Sequence, residues 1–175
     1  MVLKLVASAD AGRQWTYAEL SKQLFVSPSQ VFNAVQRAEQ ARLLNSATVP
    51  DPAVDGPRPY LWPIRSNLKE FLIHGVKYVF PVERGGPTRG IPTAEATEPL
   101  NKHFGADFAL PPVWPHPAGV LRGLAFSPLY KNVPQAAMAD PKLWELLALV
   151  DAIREGRARE REIAIRELTA RIDAN

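Results

Sequence analysis

Residues 15–44 read Trp15-Thr-Tyr-Ala-Glu-Leu-Ser-Lys-Gln-Leu-Phe-Val-Ser-Pro-Ser-Gln-Val-Phe-Asn-Ala-Val-Gln-Arg-Ala-Glu-Gln-Ala-Arg-Leu-Leu44. Thr16, with Glu19 three residues on, has the form of a capping box, in which each side chain satisfies one orphan backbone N–H of a helix start. Ala18, Leu20 and Leu24 then give a short amphipathic helix. Phe25-Val26 leaves room only for a tight turn. Ser27 is a second N-cap, and Pro28 comes next at the first helical position, where a missing N–H costs nothing. Val31, Ala34, Val35 and Ala38 recur at helical spacing as one apolar stripe. Two short helices across a tight turn make a helix-turn-helix, an arrangement that lays its second helix in the DNA major groove while the first crosses the backbone.

With the stripe turned inward, Ser29, Gln30, Asn33, Gln36 and Arg37 face outward. Asparagine and glutamine can pair bidentately with adenine, and arginine with guanine. Ser27 and Ser29, at the helix N-terminus, suit a phosphate oxygen. Lys22 and Arg13 can add phosphate contacts. Phe32 lies near the same side, placed to pack on a following hairpin or to touch a thymine methyl. The plainer alternative is a helical hairpin whose polar face is merely solvated.

The stretch resembles the winged helix-turn-helix transcriptional regulators of bacteria, in the broad MarR-like sense. Leu20-Ser21, Leu24, Val26-Ser27 and Val31 match the family pattern. Arg42-Leu43 stands where Gly-Leu is usual, at a helix end that glycine reaches easily. The resemblance covers residues 1–64 and implies a wing over Asn45–Pro63. Ser46–Val49 and Pro59–Trp62 read as its two strands, with Pro50–Arg58 as the loop. Prolines fit such edge strands, and Arg58 is the wing's natural phosphate or minor-groove contact. Met1–Ser8 allows a first helix of only about two turns, either short or completed by a partner.

Outward from this stretch, proline partitions the chain. Of 175 residues 17 are proline. Pro28 stands alone, and the rest fall between Pro50 and Pro141, so a helical start and a helical end flank a proline-rich middle. Hydrophobic residues make up 46% and charged residues 22%, too apolar for a disordered chain. No apolar run reaches the length of a membrane span, and the first residues lack the features of a signal peptide. A cytoplasmic protein is the default. There is no cysteine, which excludes disulfides and thiolate metal sites. A net charge of +3 says little about partners.

In the middle region, residues 65–139, Ser66–His74 reads as a helix closed by Gly75, and Val76–Phe80 as a strand. Glu83–Thr93 is a glycine-rich loop carrying Arg84 and Arg89: a phosphate cradle, a structural turn, or an arginine pair making contacts between domains or to DNA. It lacks the Lys-Ser/Thr ending of a P-loop. Residues 94–140 mix prolines with large apolar side chains, as expected of a segment lying extended across another surface with little regular structure. Val113–His116 and Arg122–Phe126 are short strand candidates. His74, His103 and His116 stand apart from any nucleophile or metal-ligand pattern, so neither catalysis nor a cofactor is expected.

In residues 140–175, Asp140-Pro141 opens a helix that is apolar on more than one face, a sign of burial on several sides or of a partner. Gly156 can interrupt it, and Glu155–Arg159 and Glu162–Arg166 are spaced as i,i+4 ion pairs. The chain thus reads as an α+β protein. Its N-terminal winged helix-turn-helix is expected to act as a DNA-binding repressor, reading double-stranded DNA with helix 27–41. A homodimer is expected because a palindromic operator needs two copies. The alternative is a protein-binding module, such as the antitoxin of a toxin–antitoxin pair, neutralising its partner through residues 66–175. A third possibility is a sensor whose Arg84–Arg89 loop binds a phosphorylated effector.

Overall fold

A computed structural model describes residues 1–8, 15–50, 57–104 and 109–174, with the strand positions 49, 50, 57 and 58 described by backbone alone. Among the described residues helix accounts for 57% and strand for 19%, which makes the chain α+β. Helix α1 (Val2–Ala7) comes first. Helices α2 (Tyr17–Leu24) and α3 (Pro28–Gln40) come next, then an antiparallel hairpin of β1 (Leu44–Pro50) and β2 (Pro57–Pro63). Both helix starts carry full capping boxes: Thr16 with Glu19, and Ser27 with Gln30. Val31, Val35 and Ala38 of α3 pack with Leu20, Leu44 and Leu61 in a small core of their own.

Both helices end in a left-handed residue that is not glycine. Phe25 has φ 54° and Arg42 has φ 54°. At Arg42 the pattern is a Schellman motif: Leu43 N–H donates to the Ala38 carbonyl at 2.8 Å and Arg42 N–H to the Glu39 carbonyl at 2.8 Å. Two lone carbonyls of α3 are thereby satisfied. Each left-handed residue is also held by an amide from elsewhere in the chain. Asn132 Nδ2 donates to the Phe25 carbonyl, and Asn67 Nδ2 to the Arg42 carbonyl at 2.9 Å.

The next helix departs from expectation. It begins as α4 (Arg65–Glu70), passes through a π-helical turn at Phe71–Gly75, and continues as α5 (Val76–Val79). Gly75 therefore does not close it, and Val76–Phe80 is not a strand. Leu68, Leu72 and Val76, four apart, are all buried in the main core. Burying that stripe outweighs the modest strand preference of β-branched residues.

The arginine-bearing segment expected as a loop is strand β3 (Arg84–Pro92). It pairs antiparallel with both β4 (Pro112–Pro115) and β5 (Leu121–Phe126), and β4 and β5 run parallel, so the three close into a small barrel. The glycines that suggested a loop are needed because the strands approach so closely. A Cβ on Gly90 would lie 2.2 Å from the Trp114 carbonyl oxygen, and one on Gly123 would lie 1.9 Å from that of Pro111. Residues 94–140 are correspondingly more regular than expected. Besides β4 and β5 they hold a 3-10 turn (Ala94–Ala96), α6 (Asn101–Phe104) and α7 (Val133–Ala139). Pro134 sits at the start of α7, where proline is favoured.

Helix α8 (Pro141–Glu155) is the centre of the molecule. It contacts α1, α5, α7, α9 (Ala158–Ala174) and the 3-10 turn. Leu143, Leu146, Leu147, Leu149, Val150 and Ile153 are all buried within the chain, in keeping with the burial on several sides that its composition allowed. It also packs against the short first helix. The expected i,i+4 pairs do not form. Glu155 instead bonds Arg84 at 2.6 Å, Arg159 lies over the Phe104 ring, and Arg166 sits beside Glu167.

Two buried cations pin the elements together. Lys4 Nζ donates to Asp140 Oδ2 at 2.6 Å and to Gln23 Oε1 at 3.2 Å, joining α1, α2 and the start of α8. Deeper, the Asp151 carboxylate accepts from Thr93 Oγ1 at 2.8 Å, Trp114 Nε1 at 2.7 Å and Arg154 Nη1 at 2.7 Å. Arg154 further donates to the carbonyls of Phe80, Ser127 and Pro81. Burial pushes the Asp151 carboxyl above its usual range, against the pull of the Arg154 guanidinium.

Truncating one partner of such a pair leaves a buried charge alone. Arg154→Met is therefore expected to lower unfolding free energy by about 3–5 kcal/mol in urea titration; a loss under about 1 kcal/mol would show the pair to be dispensable. At the α3 end the sign reverses. Arg42→Gly removes a left-handed side chain and is expected to raise stability by about 0.5–1 kcal/mol, read as a higher urea midpoint with unchanged slope.

Candidate nucleic-acid interface

Helix α3 has two accessible sides. At about 100° per residue, Ser29, Asn33, Gln36 and Gln40 lie opposite the buried line of Val31, Val35 and Ala38. Gln30, Ala34 and Arg37 form a flank. Ser29, Gln30, Asn33, Gln36 and Arg37 are all exposed. The expected set is thus brought together on the solvent side of one helix, over an arc of about 120°.

Several of these groups are already engaged. Ser27 Oγ accepts from Gln30 N–H at 3.2 Å, and Ser27 N–H donates to Gln30 Oε1 at 2.8 Å. The Ser27 hydroxyl and the Gln30 carbonyl oxygen therefore build the helix start. Gln36 Nε2 reaches Glu39 Oε2 at 3.4 Å. Ser29 and the side chains of Asn33 and Arg37 have no partner among the described residues. Lys22 is exposed in the last turn of α2. Phe32 packs edge-on against Tyr17, ring centroids 5.9 Å apart, so its neighbour is α2 and not the hairpin.

The acids nearby are occupied. Glu19 closes the α2 capping box, bonding the Thr16 N–H and hydroxyl at 2.9 Å each. Glu39 accepts from the Ser46 hydroxyl of β1. What the helix offers outward is amide, hydroxyl and guanidinium, with Lys22 beside it. That donor-rich surface can meet phosphates and base edges.

Gln30, Asn33, Ala34 and Arg37 also line one wall of a cleft of about 570 Å³. Its other walls are apolar side chains of α1, the α4–α5 helix and α8, together with Leu129 and Tyr130. The Tyr130 hydroxyl donates to the Leu24 carbonyl at 3.3 Å, and burial pushes its pKa up to about 12. The loop bearing Tyr130 and Asn132 therefore grips the turn between α2 and α3.

On the hairpin, Asn45, Ala47, Tyr60 and Trp62 share the outer face, since Asn45 pairs with Trp62 and Ala47 with Tyr60. Tyr60 and Trp62 are exposed and stacked at 5.2 Å, tilted by 41°. This aromatic pair was not anticipated, although the two-residue spacing of Tyr60 and Trp62 in a strand marks a common face. The backbone of Arg58 lies in β2 opposite Val49, while its side chain, like the whole of Arg13, lies outside the described residues.

The two arginines of β3 have different surroundings. Arg84 Nε bonds Glu155 Oε2 at 2.6 Å and its guanidinium stacks 4.7 Å from the Phe126 ring centroid. Arg89 is exposed with no side-chain partner among the described residues. Among those residues no cluster of three His, Cys, Asp or Glu side chains could hold a metal ion, and no helix is long and apolar enough to cross a membrane.

Because Ser27 serves as a cap, Ser27→Ala is expected to cost about 1 kcal/mol of stability by chemical denaturation; an unchanged midpoint would free the hydroxyl for a purely ligand-facing role. No family model, curated protein or solved structure matches this chain.

Proposed function

We propose that the chain is a sequence-specific DNA-binding regulator, a winged helix-turn-helix repressor that inserts α3 into the major groove. One observation carries this. The exposed surface of α3 presents unpartnered Ser29, Asn33 and Arg37, while the neighbouring acids Glu19 and Glu39 are held in hydrogen bonds within the fold. A groove-reading helix needs donors and acceptors at its surface and no free carboxylate facing phosphate. The α3 position also fits, because a tight turn, a proline-started helix and a hairpin succeed one another in chain order.

In this reading Arg37 and Asn33 contact base edges. Ser29 and Lys22 contact phosphates, and the hairpin bearing Arg58 lies against the backbone beside the groove. Gln30 contributes only its amide nitrogen, since its oxygen is spent on the cap. Gln36 can switch from Glu39 to a base at small cost, because the bond it gives up is long and exposed. A palindromic operator needs two copies of α3. Tyr78, Val79 and Phe80 are 76%, 59% and 41% exposed and supply the apolar surface for that contact, in place of the buried α8.

Selection of duplexes from a randomised pool tests the assignment. The wild-type chain is expected to enrich one sequence. Asn33→Ala combined with Arg37→Ala is expected to lose about 2–6 kcal/mol of binding to that sequence relative to mixed DNA, with an unchanged circular dichroism spectrum. Equal retention of the enriched sequence by both proteins would remove α3 from the reading role.

A further inference from the structure

We propose that Arg89 and Arg122 form a phosphate-binding site on the outer wall of the β3–β4–β5 barrel. The two residues are direct cross-strand partners in the antiparallel β3–β5 ladder. Opposed residues in such a ladder stand on the same face with their Cβ atoms about 5 Å apart, and like charges there repel. Both arginines are exposed, and neither side chain has a hydrogen-bond or ion-pair partner among the described residues. Arg84 on the same strand shows the contrast, since it is neutralised by Glu155 and stacked on Phe126. The fold thus spends an acid on one arginine of β3 and leaves the opposed pair unmatched.

The pair also borders a hollow. Pro87, Thr88, Arg89, Val120, Leu121 and Arg122 surround a space of about 470 Å³. A glycine next in the chain fixes the position of each arginine. Arg89 precedes Gly90 and Arg122 precedes Gly123, two of the points where a side chain would run into a neighbouring backbone. The strands approach closely at those points, so the two guanidinium groups project from adjacent, tightly packed backbone.

The chemistry of the pair selects the ligand class. Guanidinium groups only donate, stay charged at all physiological pH values, and match oxyanions in bidentate geometry. Two of them facing one hollow, with no carboxylate among its described lining residues, suit an anion with several oxygens and more than one charge. A phosphate or pyrophosphate group meets that description better than a single carboxylate. Val120, 77% exposed, and Leu121, 40% exposed, give an apolar rim for whatever carries the phosphate. The group could belong to a free phosphorylated molecule or to a nucleic-acid backbone. The proposal does not depend on the role of α3.

Thermal melting with inorganic pyrophosphate, compared with chloride at matched ionic strength, tests the site. Pyrophosphate is expected to raise the wild-type Tm by about 3 °C. The Arg89→Gln/Arg122→Gln protein should show no such shift, while melting no lower than wild type in chloride because the repulsion is gone. The Asn33→Ala/Arg37→Ala protein should keep the shift, which separates this site from α3. A mixed-sequence duplex then distinguishes the two sources. A weaker retention, with a salt slope smaller by about one or two, assigns the backbone phosphate; unchanged retention assigns a free phosphorylated molecule. No wild-type shift beyond that in chloride, or the same shift in the double glutamine variant, overturns the proposal.

Discussion

The buried contact between Asp151 and Arg154 is the constraint on which the rest of this molecule is arranged. A charge pair in a protein interior recovers its desolvation cost only where the remaining lone pairs and N–H groups are also met. Here the Asp151 carboxylate has three donors, Thr93, Trp114 and Arg154. Arg154 in turn reaches four acceptors: Asp151 and the carbonyls of Phe80, Pro81 and Ser127. These partners come from the exit of α5, the exits of β3 and β5, and β4. One turn of α8 thereby sets where the barrel and the α4–α5 helix must sit, and apolar packing around Phe126 and Trp114 fills the space so defined.

The second constraint works at the ends of the candidate reading helix. The turns before and after α3 each require a left-handed residue, and the chain places Phe25 and Arg42 there instead of glycine. Such positions persist where the surroundings over-determine them. Asn132 and Tyr130 hold the first turn from the segment after the barrel, and Asn67 holds the second from α4. Both ends of α3 are thus fastened to the body built around α8. The exposed side chains of α3 are thereby held in place from both ends of the helix.

Local signals were legible in the residues. Thr16 and Ser27 mark the starts of α2 and α3 because capping involves groups only three residues apart. The Val31–Ala38 stripe shows which side of α3 is inward, and the strand candidates Val113–His116 and Arg122–Phe126 nearly coincide with β4 and β5. Misreadings occurred where distant partners decide. Val76–Val79 has β-branched character yet is helical, since Leu68, Leu72 and Val76 share one core-facing line. Glu83–Thr93 has the composition of a loop, yet its glycines serve a barrel whose strands nearly touch. Glu155 bonds Arg84, far away in sequence, while Arg159 lies past the break at Gly156 in a different helix.

The candidate interface divides in the same way. The polar residues of α3 could be named from periodicity, because helical geometry alone decides what lies opposite a buried stripe. Which of them are free could not, because the engagement of Ser27 with Gln30, Gln36 with Glu39 and Phe32 with Tyr17 depends on how neighbouring turns and helices pack. Arg122 carried no signal until β5 was paired with β3 in a register that sets it against Arg89. By itself the sequence determined the caps, the turn, the inward face of α3 and the helical character of the C-terminal segment, all properties of residues within a few positions of one another. Only the tertiary structure decided that α8 lies inside the protein, that Arg84 is neutralised, and that Arg89 and Arg122 stand together. Strand register and buried charge pairing join residues tens of positions apart, and no local pattern encodes them.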